Sequence, residues 1–593
     1  MTLRPLALTR RGAQGARHPE RPSVQMTSPP PDGAAVDVCV VGAGPVGLSL
    51  ALEAARSGLQ VLLVEAGHRT RKPSGTPLDE TIATVLDPGV HAPFSATTRL
   101  GLGGTSWLWG GRCVPFELAD LAPRDHVPFS GWPLFRSDIA PYEAEAAHYL
   151  DCGSAAFHAD PVGGWDETVV RTTQLERWSR RPAVARRLGA QVLSHPGIAV
   201  VSEALVTGVV VDDTGTSVRH LRVWRDRREV TVEAAAYVLA CGGVATTRLL
   251  LNTQRSNPAL FGGPSGALGR YYMGHLTGSI ASIVLTHPDD VADWGLVRTE
   301  DGTVVRRRFT LSEQAQQDHR LLNTAFYLGN LPFSDARHGS GALSLFSLCL
   351  AAPVLGRVLG RPETRRRDVG GGARDWRSHL RNLTRRPGRV IRDVAAVVRL
   401  RLLSPRRGAE FLLRTDTGAY ALRYHAEQEP DPGSRITLND RTGSDGLPGI
   451  DVDLRYSDQD VDSVLRAHSL LDEHLQTTGF GRLVYRHPLD QRAAAVRAQA
   501  MDGYHQIGTT RMSDDPQSGV VDADCRVHGT TNLYVASSSV FPTAGEANPT
   551  FMAVTLAVRL ARHLADRVGV CDPASGMRRR DRGEPVTPTR FPH

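Results

Sequence analysis

Gly42-Ala43-Gly44-Pro45-Val46-Gly47 stands between a short apolar run, Val36 to Val41, and a stretch from Pro45 to Ser57 whose apolar residues recur at helical spacing. Glycines between a strand and a helix suit one task, holding the phosphates of a dinucleotide. Gly42 permits the tight turn, Gly44 lets a pyrophosphate approach the backbone, and Gly47 lets the helix pack closely, while the helix N-terminus supplies partial positive charge. Glu65 follows a second apolar run, Leu59 to Val64, 23 residues after Gly42. From there a carboxylate accepts both hydroxyls of an adenosine ribose. This pattern does not separate FAD from NAD.

The strand, helix and strand around those glycines form a βαβ unit. A like strand, Ala236 to Ala240, enters Cys241-Gly242-Gly243 and a helix from Ala245 to Asn252; another, Leu533 to Ala536, ends at Ser537-Ser538-Ser539, and a helix from Phe551 to Arg567 follows. Strands of one nucleotide-binding domain thus come from distant parts of the chain. The fold class expected is α/β: a Rossmann-like domain built from discontinuous segments, 35–275 and 493–570, with an inserted α+β substrate-binding domain at 276–492. In the insert, alternation predicts antiparallel strands over Ile280 to Leu285, Val304 to Phe309, Asn323 to Leu328, Tyr420 to Glu427 and Arg435 to Asn439. A basic helical segment spans 344–408, and the tails 1–34 and 571–593 read as disordered.

The chain has 593 residues, 41% hydrophobic and 22% charged, with a formal net charge of +7. That balance invites a nucleic-acid reading, but the charge is local. Between Arg357 and Arg407 stand 16 arginines against four acids, a local +12; residues 1–31 carry +4 and 572–593 carry +2. Everything else sums to −11, which argues against nucleic acid as a partner. Lys72 is the single lysine, an arginine bias that is the ordinary mark of a GC-rich genome. Seven scattered cysteines show no metal spacing, so no metal site is expected and a reduced, cytoplasmic location is the reading. No apolar run reaches the roughly 18 residues that span a bilayer, and Arg10-Arg11 is followed by no apolar export segment.

Several separated motifs carry a resemblance. They are Gly103-Gly104-Thr105-Ser106-Trp107-Leu108-Trp109-Gly110-Gly111, Gly131-Trp132-Pro133 with Pro141-Tyr142-Glu143, and Val238-Leu239-Ala240-Cys241-Gly242-Gly243 before Arg248-Leu249-Leu250-Leu251. The strongest lie between 504 and 560: YHQIGTTRM, VVDADCRVHGTTNLYVASSSVFPT and ANPTFMAVTLAVRLA. In this order they resemble the glucose-methanol-choline (GMC) oxidoreductases, FAD-dependent oxidisers of alcohols, here of bacterial type. The resemblance covers about two thirds of the chain and is weak over the basic insert.

The resemblance implies FAD as cofactor, a flavin domain completed by the C-terminal segment, and a substrate domain roofing the isoalloxazine ring. It makes His505 and Asn548 the catalytic pair, in the His/Asn branch of the family. It also places Gly104, Thr105, Ser106, Trp109, Gly110, Val206, Ser537, Pro549 and Thr550 with Asn548 beside the cofactor. The residue types suit the chemistry: hydride leaves a carbinol carbon more easily as its hydroxyl loses a proton to a histidine, catalysis typically worth about 10²- to 10⁴-fold. Asn548 donates an amide N–H to the developing oxyanion, and flavin N5 receives the hydride. His275, His528 and His563 lack such motif support and read as structural. Some sugar-oxidising relatives link FAD through a histidine where this chain has Leu108, so non-covalent FAD is expected. Trp107 and Trp109 either stack beside the flavin or pack their own loop, and at Ser537 the cofactor contact rests on backbone N–H groups.

The implied reaction converts an alcohol, by resemblance a sugar, polyol or glycosylated molecule, to a ketone or aldehyde. Oxygen, a quinone or a redox partner reoxidises the flavin. An FAD-dependent monooxygenase is the alternative enzyme, since Gly-Pro-Val-Gly-Leu also occurs in aromatic hydroxylases; a non-catalytic flavin-bound scaffold is the other. In the basic insert, Val390, Ile391, Val394, Val398 and Leu402 alternate with Arg389, Arg392 and Arg399 as in an amphipathic helix. Such a helix either caps the substrate domain or lies on a membrane or acidic partner through 357–407.

Overall fold

The computed structural model describes residues 36–69, 81–351, 375–399 and 411–568. The expected tails, and residues 352–374 and 400–410 of the basic insert, lie outside them. Val38–Val41, Val61–Val64, Ile198–Val201, Ala236–Leu239 and Leu533–Val535 form one five-stranded sheet, ordered Leu533, Ala236, Val38, Val61, Ile198 by first residue. All four pairings are parallel, as strands buried on both faces require. The discontinuous α/β domain is therefore present, with the C-terminal strand at one edge. The helix Pro45–Arg56 opens at a proline and packs against Thr550–Val568, whose buried Phe551, Val554, Val558 and Leu564 join the same core. Each such side chain taken out of water is worth about 1.5–3 kcal/mol, which fastens the last segment to the first.

A six-stranded antiparallel sheet forms the second layer, ordered Gly481–Tyr485, His275–Leu285, Ala419–Glu427, Thr324–Gly329, Phe309–Leu311, Val170–Arg171. The helix Asp458–Thr477 covers it with Val464, Ala467, Leu471 and Leu475. Its edge strand Val170–Arg171 comes from outside the 276–492 stretch. Two strands differ instructively from expectation. His275–Leu285 starts five residues before Ile280, because a bulge between Gly278 and Ala281 breaks the alternation that marks a strand. The expected Val304 to Phe309 strand divides into Val304–Arg307 and Phe309–Leu311, which belong to different sheets. The chain changes sheet at Arg308, whose buried guanidinium turns to Glu546 at 2.5 Å and Gln174 at 3.0 Å.

In the basic insert, Pro387–Val398 is a helix whose Val394 and Val397 pack with Ala342, Leu343 and Leu413. This inward apolar face caps the second domain, while Ile391 stays exposed. No helix among the described residues is long and apolar enough to cross a membrane.

Candidate active site

A cleft opens at the C-terminal ends of the parallel strands, the usual ligand position in a doubly wound sheet. Gly42, Gly44, Pro45, Val46, Glu65, Gly104, Thr105, Val206, Ser537, Pro549 and Thr550 line it, as do Arg99, which stands in no motif, and Gly242, Gly243, Tyr504 and Gln506, whose motifs carry the resemblance without being assigned to the cofactor. Gly42 has φ +101°, and a Cβ there would fall 2.7 Å from the carbonyl of Ala240. Gly47 does not line the cleft; a Cβ on it would meet the Gly42 carbonyl at 1.9 Å, so it serves close helix packing. Gly44, in contrast, faces open space and caps the Pro45–Arg56 helix without any side-chain acceptor for the first-turn N–H groups.

The N-terminal ends of two further helices, Gly243–Ser256 and Thr550–Val568, meet the same cleft. Converging helix N-termini favour phosphate, although in Gly243–Ser256 the N–H of Val244 already donates to Oε1 of Gln506 at 3.0 Å. The cleft therefore fits the pyrophosphate of FAD. Glu65 is committed more deeply than expected. Its carboxylate accepts backbone N–H groups from Ala43 (2.8 Å), Gly67 (2.8 Å) and Gly101 (2.9 Å). With about four acceptor positions on a carboxylate, roughly one is left for a ribose hydroxyl rather than the two expected.

Four other residues expected beside the cofactor do not line the cleft. Ser106 is buried, its hydroxyl accepting the N–H of Val184 at 3.3 Å. Trp109 gives its indole N–H to the carbonyl of Pro182 at 2.6 Å, and Trp107 gives its own to Leu102 at 2.9 Å, so both pack their loop. A Cβ added to Gly110 would meet nothing within 4 Å, and Asn548 stands just behind Pro549. Ser537 caps the turn after the last strand, accepting the N–H of Ser539 at 3.2 Å.

Behind the cleft, His505 and Asn548 come together from loops 43 residues apart, with Nε2 of His505 2.9 Å from Nδ2 of Asn548. Oδ1 of Asn548 is buried without a hydrogen-bond partner. On its other side, Nδ1 of His505 lies 2.9 Å from Oδ2 of Asp502 and 3.0 Å from Nδ1 of His275. Asp502 was not foreseen; its only signal is its place three residues before His505 in the same loop. His275, which reads as structural from sequence, opens the strand that faces this loop.

His425 completes a cluster of three imidazoles whose ligand atoms lie within 4.8 Å of one another. Each is engaged within the protein: Nδ1 of His425 donates to the Glu546 carbonyl, and the other two rings meet each other and Asp502. Burial lowers the pKa of His275, and burial with the nearby charges of His275, Arg112 and His505 holds His425 well below the ordinary value. Burial would raise Asp502, but His505 and His275 facing it hold its carboxyl well below the usual range. The arrangement therefore offers one buried carboxylate, two neutral imidazoles and a histidine whose outer nitrogen faces an amide. Such a site takes one proton from a hydroxyl and steadies the oxygen left behind.

Comparison with known proteins agrees. A GMC oxidoreductase family model matches residues 430–557, an FAD dependent oxidoreductase model 37–76, and an FAD binding domain model 113–289. The chain is 23% identical to paromamine 6'-oxidase of Streptomyces fradiae over 580 residues, 89% of this chain and 91% of that one. It is 35% identical over 124 residues to C-glycoside 3-oxidase of Microbacterium trichothecenolyticum, 21% of this chain and 22% of that one. A 69-residue stretch, 12% of this chain and 15% of the other, is 68% identical to 6-methylpretetramide 4-monooxygenase of Streptomyces rimosus. From the parallel sheet with its phosphate-ready cleft and the matches in both halves, the chain is an FAD-dependent enzyme acting on CH–OH groups, similar over residues 430–557 to the GMC oxidoreductases.

Proposed function

We propose that the alcohol oxidised here is carried by a sugar, polyol or glycosylated small molecule, and that His505 is the base. The observation that carries the reading is the approach of His505 Nε2 to Asn548 Nδ2 at 2.9 Å. A substrate hydroxyl that replaces their direct contact gives its proton to Nε2 and accepts the amide N–H of Asn548. The carbinol carbon then loses hydride and becomes a carbonyl carbon, so two electrons and two hydrogens leave the alcohol in all. FAD, held non-covalently at the glycine turn, supplies the two-electron acceptor. The substrate class is supported by the names of relatives that oxidise paromamine and C-glycosides. The monooxygenase reading rests on a match to 12% of the chain.

The test is anaerobic mixing of the FAD-loaded protein with paromamine, a C-glycoside, 2-methyl-1,2-propanediol and choline. Bleaching of the flavin by the sugar-bearing compounds is expected, and bleaching by the simple alcohols alone overturns the substrate class. Readmitting air then separates oxygen from a quinone or redox partner as acceptor: rapid recolouring means an oxidase.

A further inference from the structure

We propose that Asp502 is the positioning residue that keeps the proton of neutral His505 on Nδ1, leaving Nε2 free toward substrate, and that balances the imidazolium formed when His505 takes the hydroxyl proton. The inference rests on the reading of His505 as base.

Asp502 is held by its own backbone surroundings. Oδ1 accepts the N–H groups of Tyr504 at 2.8 Å and His505 at 3.0 Å, and Oδ2 accepts that of His275 at 2.7 Å. Three such donors keep a buried carboxyl ionised and fix its direction. An ionised carboxylate only accepts, so the 2.9 Å approach of Oδ2 to Nδ1 of His505 puts a proton on Nδ1. Neutral imidazole carries one N–H; Nε2 is then the lone pair, and Asn548 Nδ2 donates to it.

His275 is consistent with that assignment. Its Nδ1 lies 3.0 Å from Nδ1 of His505, and two ring nitrogens this close hold one proton between them. With that proton belonging to His505, His275 accepts at Nδ1 and carries its own hydrogen on Nε2, a buried atom without a partner. Burial works against charge on the other titratable rings around the loop. Burial lowers His275, His425 and His91 and raises Tyr272 and Tyr456. The proton taken from substrate therefore meets one fixed negative charge, that of Asp502. A carboxylate that orients a catalytic imidazole and stabilises its charged form is the arrangement known from serine hydrolases.

The experiment uses the FAD-loaded full chain with ¹⁵N-labelled histidine, with Asp502→Asn and His505→Gln as variants. In the unmutated protein the resonances lost in His505→Gln are expected to report Nδ1–H and bare Nε2 in the neutral ring. An Nε2–H tautomer there overturns the proposal without any substitution at Asp502. In Asp502→Asn, with FAD content unchanged, the same ring is expected to shift toward Nε2–H, because the carboxylate that accepted its Nδ1 proton is gone. Anaerobic flavin reduction by paromamine should then slow by about 10²-fold or more. An unmoved tautomer and an unslowed reduction in a folded Asp502→Asn overturn the proposal. Undiminished reduction in His505→Gln would instead remove the base reading, while the tautomer of the unmutated ring still judges Asp502.

Discussion

Oε1 of Glu65 accepts the backbone N–H of Gly101 at 2.9 Å, drawing the loop that carries Gly104 and Thr105 onto the nucleotide-binding turn. The N–H of Gly103 donates to the carbonyl of Ala43 at 2.8 Å alongside it. Glu65 is thus a clasp as well as a ribose acceptor. Glu65→Ala leaves the N–H groups of Ala43, Gly67 and Gly101 without their acceptor, each worth about 1–3 kcal/mol if left unsatisfied. The FAD-free protein is expected to melt at lower temperature, and FAD to bind more weakly. A variant with normal FAD-free stability and weak FAD binding would show that the carboxylate acts on the ribose alone.

How much of this was legible from sequence follows from how local each feature is. The turn from Gly42 to Gly47 declares itself, because strand, glycines and helix are contiguous. The pairing of His505 with Asn548 was legible through motif resemblance and not from spacing, since the two stand 43 positions apart across loop and strand. Asp502 and His275 escaped for different reasons. An acid three residues before a histidine is common on any surface loop, and His275 reaches His505 only through tertiary packing, at the mouth of a strand whose bulge hides its start. Trp109 is a different case: an indole in a glycine-rich loop suits stacking or packing equally well in the sequence, and only the fold shows that the carbonyl of Pro182, 73 residues away, holds its N–H.

His505→Ala should slow flavin reduction by alcohol at least about 10²-fold while leaving FAD bound. Its imidazole does not line the FAD cleft, which is why retention is expected. Asn548→Ala should also slow reduction, by removing the donor to the developing oxyanion. Stopped-flow absorbance under nitrogen measures both, and reduction at the unmutated rate in His505→Ala would refute the assignment of the base.

Leu108 offers no nucleophile, so all of the yellow chromophore should leave the protein on acid precipitation. Spectra of pellet and supernatant decide this; colour remaining in the washed pellet would mean a covalent link elsewhere.

Arg308 and Glu546 tie the second domain to the loop that presents Asn548, with both side chains about 1% exposed. Removing one partner of a buried pair strands the other charge, at a typical cost of about 3–5 kcal/mol. Glu546→Ala is therefore expected to lower the denaturation midpoint strongly. Replacing both residues together with apolar ones should cost less than the sum of the single replacements. A double-substitution cycle on the FAD-loaded protein measures the coupling, and strict additivity would mean the pair contributes nothing jointly.

Asp120 gives the fold a pH dependence of unusual sign for a carboxyl group. Burial, with the neighbouring charges of Glu427 and Glu546, pushes it from 3.8 to about 7 against the hydrogen bond from Asn323. Between those values the folded protein holds a proton that the unfolded chain has released, so its contribution to stability is present at acid pH and declines as pH rises toward 7. The slope from one group is at most about 1.4 kcal/mol per pH unit. Urea denaturation of the FAD-loaded protein at several pH values between 5 and 8 should show this decline flattening above 7. In Asp120→Asn, which has no proton to lose, that share of the slope should vanish even if the overall midpoint falls; an identical slope in the variant would place the titration on another group.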